Sequence, residues 1–140
     1  MRKLYFLLVC VTTFISTVTH AQTISIAALN TPYNQSFNSL AFTGTSATVP
    51  AGWFFFENGA AGAAYTANNG ASNSGDTYSY GVTGNTERAF GCLLSGSVTP
   101  VLGASFTNNT GATITTLTVS YTGEQWRLGA AGRVDRLDFQ

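Results

Sequence analysis

Four consecutive residues, Glu124, Gln125, Trp126 and Arg127, set a carboxylate, an amide, an indole and a guanidinium side by side. Aromatic faces stack on the apolar faces of sugar rings, and planar polar groups fix the hydroxyls, so this stretch is a candidate ligand-binding surface for saccharide. Asp135, Arg136 and Asp138 follow as a charged echo. A structural role competes with binding. In a chain with only 9% charged residues, Glu87, Arg88, Glu124, Arg127, Asp135, Arg136 and Asp138 can pair among themselves around a core Trp126. Arginine suits such pairs because its fork meets a carboxylate in two bonds. Glu124 with Glu87 or Asp135 would also offer acid–base chemistry on glycosides, but any strand protein with six acids contains pairs of that kind.

A second candidate is a calcium loop. Asn68, Asn69, Asn73 and Asp76 lie in one polar stretch, and calcium accepts carboxylate, amide and backbone oxygens. A single carboxylate is few for a tight site, and the spacing is not that of an EF-hand, so an ordinary polar loop is the competing reading. Nucleophilic chemistry of the serine or cysteine type needs a base that is missing, because the single histidine, His20, lies in the leader. The same lack removes a zinc or haem site. No Gly-rich loop precedes a helix, so no phosphate cradle is expected. These exclusions leave no catalytic set and point away from an enzyme for this stretch of chain.

The leader itself is legible. Arg2 and Lys3 are followed by a mostly apolar run, then by Thr19-His20-Ala21, with small residues at the −3 and −1 positions of a cleavage site. Residues 1–21 are therefore expected to be a cleaved signal peptide, and residues 22–140 the secreted or cell-surface chain. The run is too short to span a bilayer, so no membrane span is expected in the mature chain. After cleavage, Arg88, Arg127, Arg133 and Arg136 face Glu57, Asp76, Glu87, Glu124, Asp135 and Asp138, and four against six leaves a net charge of −2. No basic stripe remains, which excludes nucleic acid as a partner. Cys92 stands alone in the mature chain and is expected to pack as a small apolar residue.

The elements that must position these residues read as strands. Residues 23–29 alternate through Ile24 and Ile26. Residues 33–40 form a short strand or extended entry. Val49-Pro50-Ala51-Gly52-Trp53 turns into an aromatic strand over residues 53–57, whose three phenylalanines suit cover on both faces. Residues 58–76 are a long loop or two short strands joined by turns. Strands are expected over residues 77–81, 87–94 and 101–107. In residues 87–94, Arg88, Phe90, Cys92 and Leu94 share one face. Asn108-Asn109-Thr110-Gly111 is a hairpin-type turn, and residues 113–121, β-branched throughout, carry the strongest strand signal of the chain. A symmetric loop over residues 129–132 would then set Trp126 opposite Asp135 and Gln125 opposite Arg136. Strand–turn units every 8–12 residues or so predict an all-β fold, an antiparallel, jelly-roll-like β-sandwich. Because the last strand signal runs to the end of the chain, the module is expected to be an incomplete N-terminal fragment.

Several of these stretches resemble a family of exported bacterial proteins: Tyr33-Asn34-Gln35-Ser36-Phe37, Val49-Pro50-Ala51-Gly52-Trp53, Gly75-Asp76-Thr77-Tyr78-Ser79-Tyr80-Gly81, Glu87-Arg88-Ala89-Phe90-Gly91, Phe106-Thr107-Asn108-Asn109-Thr110-Gly111, and Tyr121-Thr122-Gly123-Glu124-Gln125-Trp126-Arg127 with Asp135-Arg136-Leu137-Asp138-Phe139. Proteins of that kind are large, multidomain and secreted or surface-bound, many with a type IX or exosortase-type sorting tail. Some carry nuclease, lamin-tail or immunoglobulin-like domains downstream. The Pro-Ala-Gly-Trp pattern also resembles cleaved-adhesin and concanavalin-like jelly rolls. The resemblance transfers no functional residue. The strand spacing, the leader and the lack of a catalytic set point to a non-catalytic extracellular module for adhesion, glycan binding or spacing, with polysaccharide or cell-surface glycans as partners. The alternative is an accessory N-terminal domain of a secreted nuclease or glycosidase.

Overall fold

The structure, a computed structural model, describes residues 22–132 and Asp138. Among these residues nine strands form in chain order: β1 (Ile24–Ile26), β2 (Thr45–Ser46), β3 (Trp53–Glu57), β4 (Ala60–Ala61), β5 (Tyr65–Asn68), β6 (Asp76–Tyr80), β7 (Ala89–Leu93), β8 (Pro100–Ala104) and β9 (Phe106–Asn108). They make a four-stranded sheet ordered β2-β5-β6-β7, a three-stranded sheet ordered β4-β3-β8, and the pair β1-β9. Among the described residues there is no helix, and none long and apolar enough to cross a membrane. The fold is all-β and sandwich-like, as the strand spacing predicts.

The core follows from strand alternation. On β3, Phe55 points inward, where its ring meets Tyr65 of β5 and Phe90 of β7 at centroid distances of 6.1 Å. Leu40 closes the same cluster, and Phe37, Val49 and Leu102 pack around it. The Tyr65 hydroxyl, though deep in this cluster, is satisfied: it donates to the Thr48 carbonyl at 2.8 Å and accepts from the Ala41 amide at 2.9 Å. The Pro-Ala-Gly-Trp turn forms as expected, closed by a 3.0 Å bond from Trp53 N to Pro50 O. Gly52 is required there twice over. Its φ is 81°, and a Cβ would lie 2.6 Å from Ile24 Cγ1.

Cover on both faces of β3 is not observed. Phe54 faces outward opposite Gly103 and keeps 36% of its surface exposed, and its neighbour on β8, Val101, keeps 51%. The outward rings shield one another instead. Phe54 and Phe56 pack at 5.3 Å, and Phe54 lies over the gap left by the missing Gly103 side chain.

Other expectations need correction. Residues 113–121 are in no strand, and Leu117 and Val119 are exposed. Strand propensity is realised only against a partner edge. Here the turn spends its hydrogen bonds locally: Asn108 Oδ1 accepts from Thr110 N and Oγ1, and Ala112 O accepts from Asn108 Nδ2. Residues 33–40 form no strand either. Phe37 has φ 62°, and a bond from Leu40 N to Phe37 O makes a turn that delivers the Phe37 ring to Trp53 and Phe90. The strand expected over residues 101–107 divides at Ser105, whose N–H donates to Gly52 O and whose carbonyl accepts from Ile24 N. Those two bonds take the chain out of the three-stranded sheet and into the β1 pair. The strand from residue 23 stops at Ile26, before the left-handed turn at Asn30. Of the two readings of residues 58–76, the short strands β4 and β5 are the one that forms. Finally, the pairings β1–β9 and β5–β6 are parallel, and the others are antiparallel.

Candidate functional site on the outer face of the four-stranded sheet

Alternation along β6 divides its residues between two environments. Thr77 and Ser79 point inward, while Asp76, Tyr78 and Tyr80 point outward. An outward Tyr-x-Tyr pair would normally meet solvent, yet Tyr78 and Tyr80 are buried. The cause is the parallel pairing of β5 and β6. A parallel pair needs a return crossover, usually a helix. Here the strands are so short that the seven residues between Asn68 and Asp76, which can span about 25 Å, suffice. This strap is tied to the outer face by the Tyr78 hydroxyl, which donates to Ser74 O at 2.8 Å and bonds Ser72 Oγ at 2.9 Å.

Residues 124–127 lie against the strap. The Trp126 and Tyr80 rings are parallel to within 6° at a centroid distance of 6.1 Å, and Tyr80 in turn packs on Tyr78 at 5.1 Å. Arg127 Nη1 donates to Gly70 O at 3.3 Å and Ala71 O at 3.2 Å. The Glu124 carboxylate accepts from Trp126 Nε1 at 2.8 Å. Gly70, at φ 88°, lies so close that a Cβ would overlap the Trp126 carbonyl. Burial pushes the Tyr80 hydroxyl up to about 12. The neighbouring Tyr78 and Cys92 add to the shift, and Arg127 opposes it.

Glu124, Gln125, Trp126 and Arg127 are thus brought together on one aromatic face, with Trp126 half-buried and Glu124 and Gln125 exposed. Trp126 is neither a core residue nor a free one: Tyr80 supports one side of it. The expected pairing of Trp126 with Asp135 and of Gln125 with Arg136 lies outside the described residues, as do residues 1–21, where a leader is expected.

The four calcium candidates are not brought together. The parallel register aligns Thr66 with Tyr78 and Asn68 with Tyr80, which sets Asn68 four residues beyond the level of Asp76, about 13 Å along the strands. Asn68 Oδ1 and Asn69 Oδ1 accept from the amides of Gly70 and Ala71. Asp76 accepts from Thr66 Oγ1 and Thr77 N, and Asn73 is exposed. Among the described residues, no three His, Cys, Asp or Glu side chains converge.

Two features escaped the sequence reading. Glu57 and Asp76, far apart in the chain, approach one another at Thr77, whose N–H bonds both. Desolvation raises the Asp76 carboxyl above its ordinary value, and the neighbouring Glu57 raises it further, against the lowering effect of hydrogen bonds from Thr66 and Thr77. Arg88 is almost fully buried, and its bonded partners are neutral: Ser79 Oγ at 2.9 Å, Asn68 O at 3.2 Å and Ser79 O. The signal was present, since Arg88 stands in phase with Phe90 and Cys92 on the apolar face of its strand. Cys92 is half-buried and unpaired, and burial raises its thiol.

What fold and face define together is an all-β, sandwich-like domain with a strapped aromatic surface. No protein-family model matches the chain, and no curated protein or solved structure matches it.

Proposed function

We propose that the chain is a non-catalytic β-sandwich module of a secreted or cell-surface protein, and that it binds saccharide on the outer face of its four-stranded sheet. The observation that carries this reading is the parallel Tyr80–Trp126 pair. A tryptophan held flat by a second ring presents aromatic surface at little entropic cost, and the apolar face of a pyranose is its natural complement. Glu124, Gln125 and the polar strap supply hydrogen-bonding groups at the rim. The leader over residues 1–21 and the resemblance to exported surface proteins support an extracellular setting.

Titration of neutral oligosaccharides and a polysaccharide pull-down, read by tryptophan fluorescence, test the proposal. Binding that Trp126→Ala abolishes while the domain stays folded is the expected result. No ligand on any of these substrates, with Trp126→Ala lowering only stability, would leave spacing as the role.

A further inference from the structure

Where β5 and β6 end, residues 42–43 and the start of the turn after β6 enclose an open cavity of about 280 Å³. Phe42, Thr43, Asn68, Asn69, Thr83 and Arg88 line it. Arg88 is the only charged residue in this lining, and its side chain is 98% buried, with a relative exposure of 2%. The guanidinium has five N–H donors. Nε donates to Ser79 Oγ, and Nη2 donates to Asn68 O and Ser79 O. The Nη1 donors have no hydrogen-bond acceptor among the described residues. Nη1 lies beside Gly81, where a Cβ would collide with it, so the glycine leaves the guanidinium room at the cavity wall. Every acceptor already in place is neutral. The carboxylate of Glu87 favours the charged form of Arg88, but Glu87 is exposed and outside the lining.

A buried cation without a paired anion is costly, and burial accordingly weighs against the charged form of Arg88. An oxyanion entering the cavity would meet that charge and the two Nη1 donors, with the hydroxyls of Thr43 and Thr83 and the amide of Asn69 at the wall. The larger cavity, about 370 Å³ beside the residue 49–54 turn, has no charged residue in its lining.

We propose that the Arg88 cavity is an anion-binding site for a carboxylate or sulfate group carried on a sugar, as in a uronic acid or a sulfate ester. The anion site stands on Arg88 and its donors. Only the sugar carrier rests on the saccharide reading of the Tyr80–Trp126 face, which adjoins the cavity through Asn68, Asn69 and Gly70.

The 140-residue chain is titrated at low salt with glucuronate, glucose, sodium sulfate and an acidic polysaccharide, by calorimetry and by the Arg88 Nε–H resonance. Glucuronate is expected to bind at least about tenfold tighter than glucose, to shift the Arg88 resonance, and to weaken with salt. Arg88→Met should abolish the preference. Because that variant removes a core side chain, Thr83→Asp serves as a second test: it places a carboxylate at the exposed rim and should remove the preference while the fold is kept. Equal binding of glucuronate and glucose, no binding of either glucuronate or sulfate, or a preference that survives Thr83→Asp would overturn the site. Binding of sulfate and glucuronate without the polysaccharide would uphold the anion site and sink the saccharide reading. Neutral oligosaccharide binding with no response at Arg88 would do the reverse.

Discussion

Glu57 on β3 accepts both hydrogen bonds that Thr77 on β6 can donate, from the amide at 3.0 Å and from the hydroxyl at 2.8 Å. One carboxylate oxygen therefore joins the two sheets at a threonine with no exposed surface. A charged acceptor makes such bonds stronger than neutral ones. Thr77→Val keeps the shape and removes the hydroxyl. It should lower stability by about 1.5–3 kcal/mol, the range for a hydrogen bond to a charged group. Urea denaturation measures this, and a variant as stable as the parent would show that the bond between the layers contributes nothing.

The same corner predicts a dependence on pH. Asp76 shares the Thr77 amide with Glu57, and its carboxyl is raised above the ordinary 3.8. The folded protein thus keeps a proton that the unfolded chain has already released. The contribution of this group to stability is greatest below pH 3.8 and falls as pH rises through the raised folded value. Other carboxylates titrate nearby, so the difference from a variant is the informative quantity. Asp76→Asn should flatten the fall in urea midpoint over the window just above pH 3.8 relative to the parent. Parallel curves for the two proteins would contradict the assignment.

Much of this was legible from residues, and the failures share one physical origin. β3 spans the expected residues 53–57, and β6 and β7 lie within a residue or two of the expected strands, because strands that pack on a core carry that packing as a pattern of alternation. Residues 113–121 carry the strongest pattern and are in no strand, because alternation records what a strand could bury and says nothing of a free edge to pair with. The site divides in the same way. Trp126 beside Glu124 and Arg127 was visible as a run of neighbours. Tyr80, which supports Trp126 from 46 residues earlier, was not, nor was the meeting of Glu57 with Asp76. Those contacts join β6 to the facing layer and to a segment far along the chain, which no local pattern encodes.

The phenylalanine run offers a direct contrast between adjacent positions. Phe55 is 6% exposed within the core, and Phe54 is 36% exposed over Gly103. Phe55→Ala should cost about 3–5 kcal/mol, as emptying a core aromatic site does. Phe54→Ala should cost about half that or less, since much of its surface is never taken from water. Urea midpoints of the two variants make the comparison, and equal losses would mean that the outer face of this sheet is packed as tightly as the inner one.

Gly70 is the position at which the aromatic face can be taken apart without touching an aromatic residue. Its φ of 88° suits glycine, and any Cβ would overlap the Trp126 carbonyl, so Gly70→Ala is strained in its backbone and displaces residues 124–127 together. The strain should cost about 1–3 kcal/mol if the segment holds its place, and less if the segment detaches. Detachment has its own signature. Trp126 leaves Tyr80, and its fluorescence shifts to the red. The Tyr80 hydroxyl, held up to about 12 chiefly by burial, titrates closer to the ordinary 10.0. Because the raised hydroxyl keeps its proton in the folded state, the parent should lose stability as pH rises from 10.0 through about 12, and the variant should lose less over that window. Unchanged fluorescence and an unchanged tyrosine titration in Gly70→Ala would mean that residues 124–127 do not rest on the strap.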